Sequence, residues 1–149
     1  MRTEGLDYDA HKVGAVHRTL ARTVSETDIV SFVNLCGFVE PLFIDMEYVK
    51  RESVFTRRAA PGALTFARAE GLIMHTGLIH GTGMAWLGGE LRIVAPVLEG
   101  DTIRVEVEVV DKRETKKPDR GIVTYRHRVL NQRDEVVLEA RVQRMIKRR

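Results

Sequence analysis

The stretch Pro61-Gly-Ala-Leu-Thr-Phe-Ala-Arg-Ala-Glu-Gly-Leu-Ile-Met-His-Thr76 decides the fold, because it predicts a long helix that is apolar on nearly all sides. Pro61 and Gly62 stand at its start, where the missing N–H of a proline costs little. Only Arg68 and Glu70 are charged within it. A helix of this kind is buried inside a protein. We therefore expect a central helix over about Gly62 to Thr76, surrounded by the rest of the chain.

The segments after Gly81 change from a helical period to strict alternation of apolar and polar residues. Such alternation predicts strands with one dry and one wet face, here over residues 87–93, 103–109, 123–129 and 136–142. Residues 111–120 are polar and are predicted to form a loop. Helices followed by a run of antiparallel strands indicate an α+β domain. We expect one curved antiparallel sheet wrapped around the central helix, with edges that favour a homodimer.

Two shorter helices are predicted upstream of the central helix. Ser25 and Asp28 have the spacing of a capping box, and Gly37 is suited to end the helix that they start. Cys36 falls on the apolar face of that helix, which predicts a small buried hydrophobe and not a nucleophile. Asp45 is predicted to cap a second short helix.

The length and composition suit one globular domain that contains no membrane span. The chain has 149 residues, of which 44% are hydrophobic and 30% charged. Residues 1–22 are weakly patterned and are predicted to form an N-terminal arm before a folded domain of residues 23–149. The net charge of +3 is mixed, without a basic stripe, so no nucleic-acid partner is expected. The single cysteine and the absence of a long apolar run indicate a cytoplasmic protein.

Five stretches resemble, in the same order, the MaoC-like dehydratases, a family that includes the (R)-specific enoyl-CoA hydratases. They are Thr23-Val-Ser-Glu-Thr-Asp-Ile29, Cys36-Gly-Phe-Val-Glu-Pro-Leu-Phe-Ile-Asp-Met-Glu-Tyr48, Ala60-Pro-Gly-Ala-Leu64, Leu87-Gly-Gly-Glu-Leu-Arg-Ile-Val-Ala-Pro-Val-Leu-Glu-Gly-Asp-Thr-Ile103 and Asn131-Gln-Arg-Asp-Glu-Val-Val137. The resemblance implies a single hotdog domain, in which the sheet wraps the long central helix. It also implies a coenzyme A or carrier-protein thioester as substrate or ligand, with no separate cofactor and no metal.

The chain departs from the family at the catalytic positions. Active members resemble one another in a Gly-Asp-x-Asn-Pro-Leu-His-x-Asp pattern, which matches this chain on Pro41-Leu42 and Asp45. Phe38 then stands at the Asp position, Glu40 at the Asn position and Phe43 at the His position. In the family, the Asp and His activate water for addition to a double bond, which requires both a proton acceptor and a proton donor. A phenyl ring provides neither, so we expect weak hydration or none.

The candidate site residues follow from this comparison. Glu40 is a candidate relocated base if it projects into the acyl tunnel beside Phe38 and Phe43; the alternative is a solvated loop acid or a partner of Arg57 or Arg58. The backbone N–H of Gly62 is a candidate oxyanion site, because free amides and the helix dipole favour negative charge there. The alternative is that Pro61-Gly62 only starts the helix. Substrate contacts are expected from Phe38, Phe43, Pro61 and Ala63.

Three functions remain open from the sequence. The first is a hydro-lyase of acyl thioesters with an altered proton-transfer set, and the second is a non-catalytic acyl-CoA-binding protein or inactive subunit. The third is a thioesterase with Glu70 as its carboxylate, which fails if Glu70 faces a neighbouring strand or Arg68 instead of a cavity.

The remaining polar residues are weaker candidates for a functional role. His75 and His80 lack the spacing of a metal pair, so a metal site is not expected. His127 lies on the apolar face of its strand and is predicted to be a satisfied core or interface histidine. The loop cations could meet phosphates of the thioester carrier or simply solubilise the surface; they are Arg57, Arg58, Lys116, Lys117 and Arg120.

Overall fold

The computed structural model describes residues 3–149, so Met1 and Arg2 of the predicted arm lie outside the described residues. Short elements precede a long helix, and four long strands follow it. In chain order the elements are β1 Val16–Arg18, β2 Arg22–Thr23, α1 Glu26–Cys36, α2 Pro41–Ile44, α3 Met46–Glu52, α4 Gly62–His75, β3 Gly83–Ile93, β4 Thr102–Glu114, β5 Arg120–Leu130 and β6 Val136–Lys147.

All strand pairs are antiparallel, in the order β1-β4-β5-β6-β3, with β2 pairing beside β1 on β4. The helix α4 lies against this sheet. Its buried positions pack into the core formed by the inward residues of β4, β5 and β6; they are Leu64, Thr65, Ala69, Leu72 and Ile73. The predicted α+β class and the predicted central helix are therefore confirmed.

The outer face of α4 differs from the prediction of a helix buried on all sides. Ala63, Ala67, Gly71 and Met74 recur at helical spacing and are all exposed. Because the sheet covers α4 from one side only, the small residues of the opposite side stay open to solvent. Among residues 3–149, none of the helices combines the length and the hydrophobicity that a bilayer span requires.

The helix α1 confirms the capping prediction. The Asp28 amide donates to the Ser25 hydroxyl at 3.1 Å, the Ser25 amide donates to the Asp28 carboxylate at 2.9 Å, and Gly37 ends the helix in the left-handed conformation. The prediction that Cys36 is buried is wrong, because its side chain is exposed at the last position of the helix. Only Ile29 and Val33 of α1 are buried.

The N-terminal segment is fastened to the sheet by buried polar contacts. His11 is buried, and its Nδ1 lies 2.7 Å from the Asp7 carbonyl, so that nitrogen donates and leaves Nε2 to accept from the Tyr125 hydroxyl at 2.7 Å. Tyr8 packs on Gly121, where an added Cβ would lie only 2.2 Å from the ring. The segment then continues into β1 and β2, which cover one edge of the sheet along β4.

The other edge of the sheet is β3, which pairs only with β6 among the described strands. Nearly the whole of this strand is exposed. Several large apolar side chains lie there, among them Trp86 at 50% exposure and Leu91 at 49%. The sheet therefore has one covered edge and one open, apolar edge.

Candidate functional site

An apolar cavity of about 340 Å³, open to solvent on one side, lies at the N-terminus of α4. Its walls come from α2, from the segment that leads into α4, and from the end of the open strand β3. Every lining side chain is apolar; the residues are Leu42, Phe43, Phe55, Ala59, Ala60, Pro61, Gly62, Ile93, Val94, Ala95 and Pro96. Such a cavity suits an apolar group whose polar end is held by backbone atoms.

The backbone at the start of α4 offers free donors to this cavity. The amides of Leu64 and Thr65 donate to the Pro61 carbonyl at 2.9 and 3.2 Å, whereas the amides of Gly62 and Ala63 have no acceptor among the described residues. Pro61 supplies no side-chain cap. Free N–H groups at the positive end of a 14-residue helix favour an oxygen that carries partial negative charge.

Gly62 also allows α4 to approach the open strand closely. An added Cβ would lie 3.0 Å from the side chain of Ile93, tighter than an ordinary contact. A larger residue at this position would push Ile93 into the cavity, so glycine keeps both the approach and the cavity. Of the predicted substrate contacts, Pro61 and Phe43 line the cavity, while Ala63 lies exposed just beyond it.

Phe38 and Phe43 belong to one aromatic group. The Phe38 ring lies 6.0 Å from that of Phe43 in an edge-on arrangement and 5.6 Å from that of Phe32. Phe43 faces the cavity and Phe38 packs behind it. Arg58 fixes the backbone of this group, because its guanidinium donates to the Phe43 carbonyl at 2.8 Å and pairs with Glu26 at 3.3 Å. The two positions at which the resemblance places Asp and His thus hold packed rings.

Glu40 lies outside the lining of this cavity. It precedes α2, its side chain makes no capping hydrogen bond, and it is exposed. Arg57 contacts the Glu99 carbonyl and Asp101, so it is not the partner of Glu40. This position matches the alternative of a solvated loop acid, and a catalytic role for Glu40 stays a prediction.

A polar cluster is buried under the middle of α4. The Glu70 carboxylate pairs with the Arg144 guanidinium of β6, and its other oxygen lies 3.5 Å from Nδ1 of His127 on β5. Burial, reinforced by the nearby positive charge of Arg144, lowers the pKa of His127 to about 4, so the imidazole is neutral at pH 7. Neither His127 Nδ1 nor that second Glu70 oxygen has a hydrogen-bond partner among the described residues. His127 is therefore a core histidine, as predicted, but one whose Nδ1 is not satisfied.

This arrangement overturns the thioesterase hypothesis. Glu70 faces Arg144 and His127 on two neighbouring strands, which is the condition under which that hypothesis fails. Sequence reasoning did not identify Arg144. The alternation of the sequence could have indicated it, because Val142, Arg144 and Ile146 lie on the inner face of β6, where a cation requires a partner.

The remaining candidates lie at the surface. His75 and His80 are exposed, and residues 3–149 contain no group of three side chains that could hold a metal ion. Arg120 pairs with its neighbour Asp119 at 2.8 Å, and Lys116 and Lys117 are exposed. Nothing in their positions directs these loop cations toward the cavity.

Comparison with known proteins places these features in a wider group. A family model described as a MaoC like domain matches residues 10–131. The chain is 32% identical over 108 residues to an (R)-specific enoyl-CoA hydratase from Rhodospirillum rubrum, covering 72% of this chain and 70% of that protein. A monoamine oxidase regulatory protein from Archaeoglobus has a similar structure, with a TM-score of 0.91 and 33% identity over 100% of this chain and 99% of that one.

One further structural neighbour contains two such units in a single chain. This Mycobacterium tuberculosis protein is described as a double hotdog fold, and it superimposes with a TM-score of 0.87 at 22% identity. The match covers 100% of this chain and 46% of that one. At this identity the likeness concerns the fold alone, and it confirms the predicted hotdog architecture.

Proposed function

Because the chain belongs to the MaoC-like domain family, we propose that it is a hydratase or dehydratase of acyl thioesters in which the proton-transfer set is altered. The observation that carries the proposal is the apolar cavity at the start of α4, with two free amides at one end and Phe43 in its wall. The cavity supports binding of an acyl group. Since a phenyl ring neither accepts nor donates a proton, the aromatic wall supports the expectation that water adds slowly.

The thioester carbonyl would accept hydrogen bonds from the amides of Gly62 and Ala63. As the carbonyl develops enolate character during addition, its negative charge grows, and donors held by a rigid helix stabilise that charge without reorganising. The acyl chain would lie against Phe43, Phe55 and Ile93. In this arrangement the helix supplies electrostatic stabilisation, but no side chain of the cavity lining takes or supplies a proton.

The second candidate function is a binding protein or inactive subunit that holds the thioester without turnover. The apolar side chains that line the cavity favour it, because apolar walls hold an acyl group well and a water molecule poorly. Losing a general acid or base typically costs about 10²–10⁴-fold in rate each, or roughly 3–5 kcal/mol of barrier. The two candidates therefore differ in residual turnover and not in affinity.

The experiment compares hydration of crotonyl-CoA with binding of a non-hydrolysable acyl-CoA analogue, using the same preparation. We expect saturable binding together with hydration at least about 10²-fold slower than that of a hydratase assayed in parallel. The double variant Phe38→Asp/Phe43→His restores the proton-transfer groups and should raise the rate, whereas Phe38→Asn/Phe43→Gln, a polar control, should not. Circular dichroism checks that each variant is folded.

The outcomes separate the hypotheses. Binding without detectable hydration favours the binding protein, and an absence of binding contradicts both. Fast hydration by the wild type contradicts the altered proton-transfer set. In that case Glu40→Gln decides whether Glu40 is the base. If it is, the substitution abolishes the hydration rate without unfolding the protein.

We also propose that the chain works as a homodimer in the cytoplasm. The open strand β3 exposes unpaired backbone groups and large apolar side chains, a combination that favours association. A stable dimer would bury about 1,600 Å² or more in total. Light scattering at micromolar concentration tests this, and a monomer would contradict it.

A further inference from the structure

A second cavity, of about 400 Å³, runs along one flank of α4 and is open to solvent. It lies between the helix and the segment that joins β1 to β2, and we refer to it as the α4 groove. From Leu64 to His75 the helix contributes positions at helical spacing, so the groove extends for about 16 Å along the axis. Its lining shares no residue with β3 or with the cavity at the start of α4; it consists of Leu20, Ala21, Arg22, Leu64, Ala67, Arg68, Gly71, Leu72 and His75.

The floor of the α4 groove is apolar. Leu64 and Leu72 pack against the core and also line the groove. Ala67 and Gly71 leave room above the helix, since a Cβ added at Gly71 would meet no atom within 4 Å. Leu20 forms part of the opposite wall and keeps 66% of its surface exposed. An apolar groove of this length, open to water, favours an apolar chain as its occupant.

The polar side chains at the groove are all basic. None of the nine lining residues is acidic, whereas Arg22 and Arg68 are cations and His75 can bind a proton. Arg68 is only 15% exposed and already pairs with Asp28 of α1 at 2.8 Å, so a carboxylate of the chain compensates its charge. Arg22 is exposed, and its guanidinium has no hydrogen-bond or ion-pair partner within residues 3–149. The groove therefore combines an apolar floor with an uncompensated guanidinium.

We propose that the α4 groove binds a straight-chain fatty acid, with its acyl chain along Leu64 and Leu72 and its carboxylate against Arg22. A guanidinium donates two parallel hydrogen bonds to a carboxylate, which fixes the head of the ligand as well as attracting it. Each methylene that leaves water on the apolar floor adds to the affinity. The ligand is a free acid and not a thioester, so this site goes beyond the proposed hydratase function and does not depend on the cavity at the start of α4.

Ligands with only one of these two chemical features fit the groove less well. An uncharged chain covers the floor but leaves Arg22 without an acceptor. A small anion such as acetate reaches Arg22 but leaves the floor exposed to water. A cationic amphiphile sets like charges together at a groove that has no acidic lining residue. An apolar chain with an anionic head is complementary to both the floor and the guanidinium.

An NMR titration of the full chain with octanoate tests the ligand class, at concentrations too low for micelles to form. We expect saturable binding of octanoate that is about fivefold tighter than binding of octan-1-ol, because an exposed ion pair contributes a modest factor. Acetate should cause no saturable change. Equal binding of octanoate and octan-1-ol would overturn the role of the guanidinium, and an absence of octanoate binding would overturn the proposal as a whole.

Alanine methyl signals locate the bound ligand. Ala21 and Ala67 line the α4 groove, whereas Ala60 and Ala95 line the cavity at the start of α4. Octanoate should shift the methyl signals of Ala21 and Ala67, and a non-hydrolysable acyl-CoA analogue should not reverse these shifts. Shifts confined to Ala60 and Ala95, and reversed by the analogue, would place the fatty acid in the other cavity and overturn the proposal. If the analogue does not bind at all, the hydratase proposal fails while the fatty-acid site stands.

Variants separate the floor from the guanidinium. Gly71→Leu fills the groove from a position with open space above it and should weaken octanoate binding at least about tenfold, and Ala67→Leu provides a second filling variant. Arg22→Glu replaces attraction by repulsion and should weaken binding about tenfold. The control is Arg113→Glu, which makes the same change in net charge at an exposed position of β4 outside the groove and should alter binding by less than about twofold. Unchanged affinity in both filling variants, or equal effects of Arg22→Glu and Arg113→Glu, would overturn the site.

Discussion

Replacing Arg144 with methionine tests the buried cluster under α4. The side chains of Arg144 and Glu70 are only 8% and 19% exposed, so their pairing takes place largely out of water. The substitution keeps most of the volume of the side chain but leaves the Glu70 carboxylate without its cation. A charge that lies largely out of water and has lost its ion-pair partner is costly.

The expected loss follows from this burial. Breaking a buried ion pair by removing one partner costs about 3–5 kcal/mol, and the partial exposure of Glu70 places the expected value at about 3 kcal/mol. For a chain of this size that corresponds to roughly 6–12 °C in the melting temperature. Urea unfolding at matched protein concentration, pH 7.5, measures the loss in the free energy of unfolding.

The control is the double variant Glu70→Leu/Arg144→Met, in which neither charge remains. Replacing both partners with apolar side chains is often neutral, so its stability should return to within about 1 kcal/mol of wild type. A loss below about 1 kcal/mol for Arg144→Met, or a double variant as unstable as the single one, would refute the reasoning. At pH 5.5 the defect of Arg144→Met should shrink, because His127 can then bind a proton and pair with Glu70.

Three further predictions concern the sheet and the helix α4. Burial holds the pKa of His127 near 4 against 6.5 in the unfolded chain, so its stabilising contribution is complete above pH 6.5 and is lost as the pH falls toward 4. Urea unfolding measured at several pH values across that range should show up to about 3 kcal/mol of this loss in the free energy of unfolding. His127→Phe should remove that part of the dependence of stability on pH. Gly121→Ala places a Cβ against the Tyr8 ring and should destabilise the protein by about 1–3 kcal/mol, with earlier proteolysis of the N-terminal segment. Gly71→Ala, which meets no atom within 4 Å on the outer face of α4, should instead be neutral or stabilise by about 0.5–1 kcal/mol when the same measurements are made.

Local signals in the sequence predicted the helices well, because caps act within a few residues. Ser25, Asp28 and Gly37 determine the ends of α1 by contacts that span three or four positions. The exposure of Cys36 could not be obtained in this way. Helical spacing places it on the apolar face, but whether anything covers the last turn depends on distant parts of the chain.

Pairing between strands accounts for the difference between the predicted and the observed extent of β4. The polar residues Asp111 and Lys112 were expected in a loop, yet they continue β4 because Thr124 and Val123 of β5 lie opposite them. In the candidate site, the resemblance led to Pro61, Gly62 and Phe43, which line one cavity. It could not place Glu40, whose direction depends on how the loop before α2 packs.

The covered edge along β4 limits how many copies can join. A sheet with two free edges can add strands at both ends, which leads to fibres and not to a defined particle. In this chain the N-terminal segment occupies one end through β1 and β2, so a single docking event uses the remaining end. In the proposed homodimer, growth by edge pairing would then stop at two copies. Deleting the segment before Thr23 would expose the β4 edge, so that further copies could add to the sheet there. The N-terminal segment would thus limit the growth of the sheet.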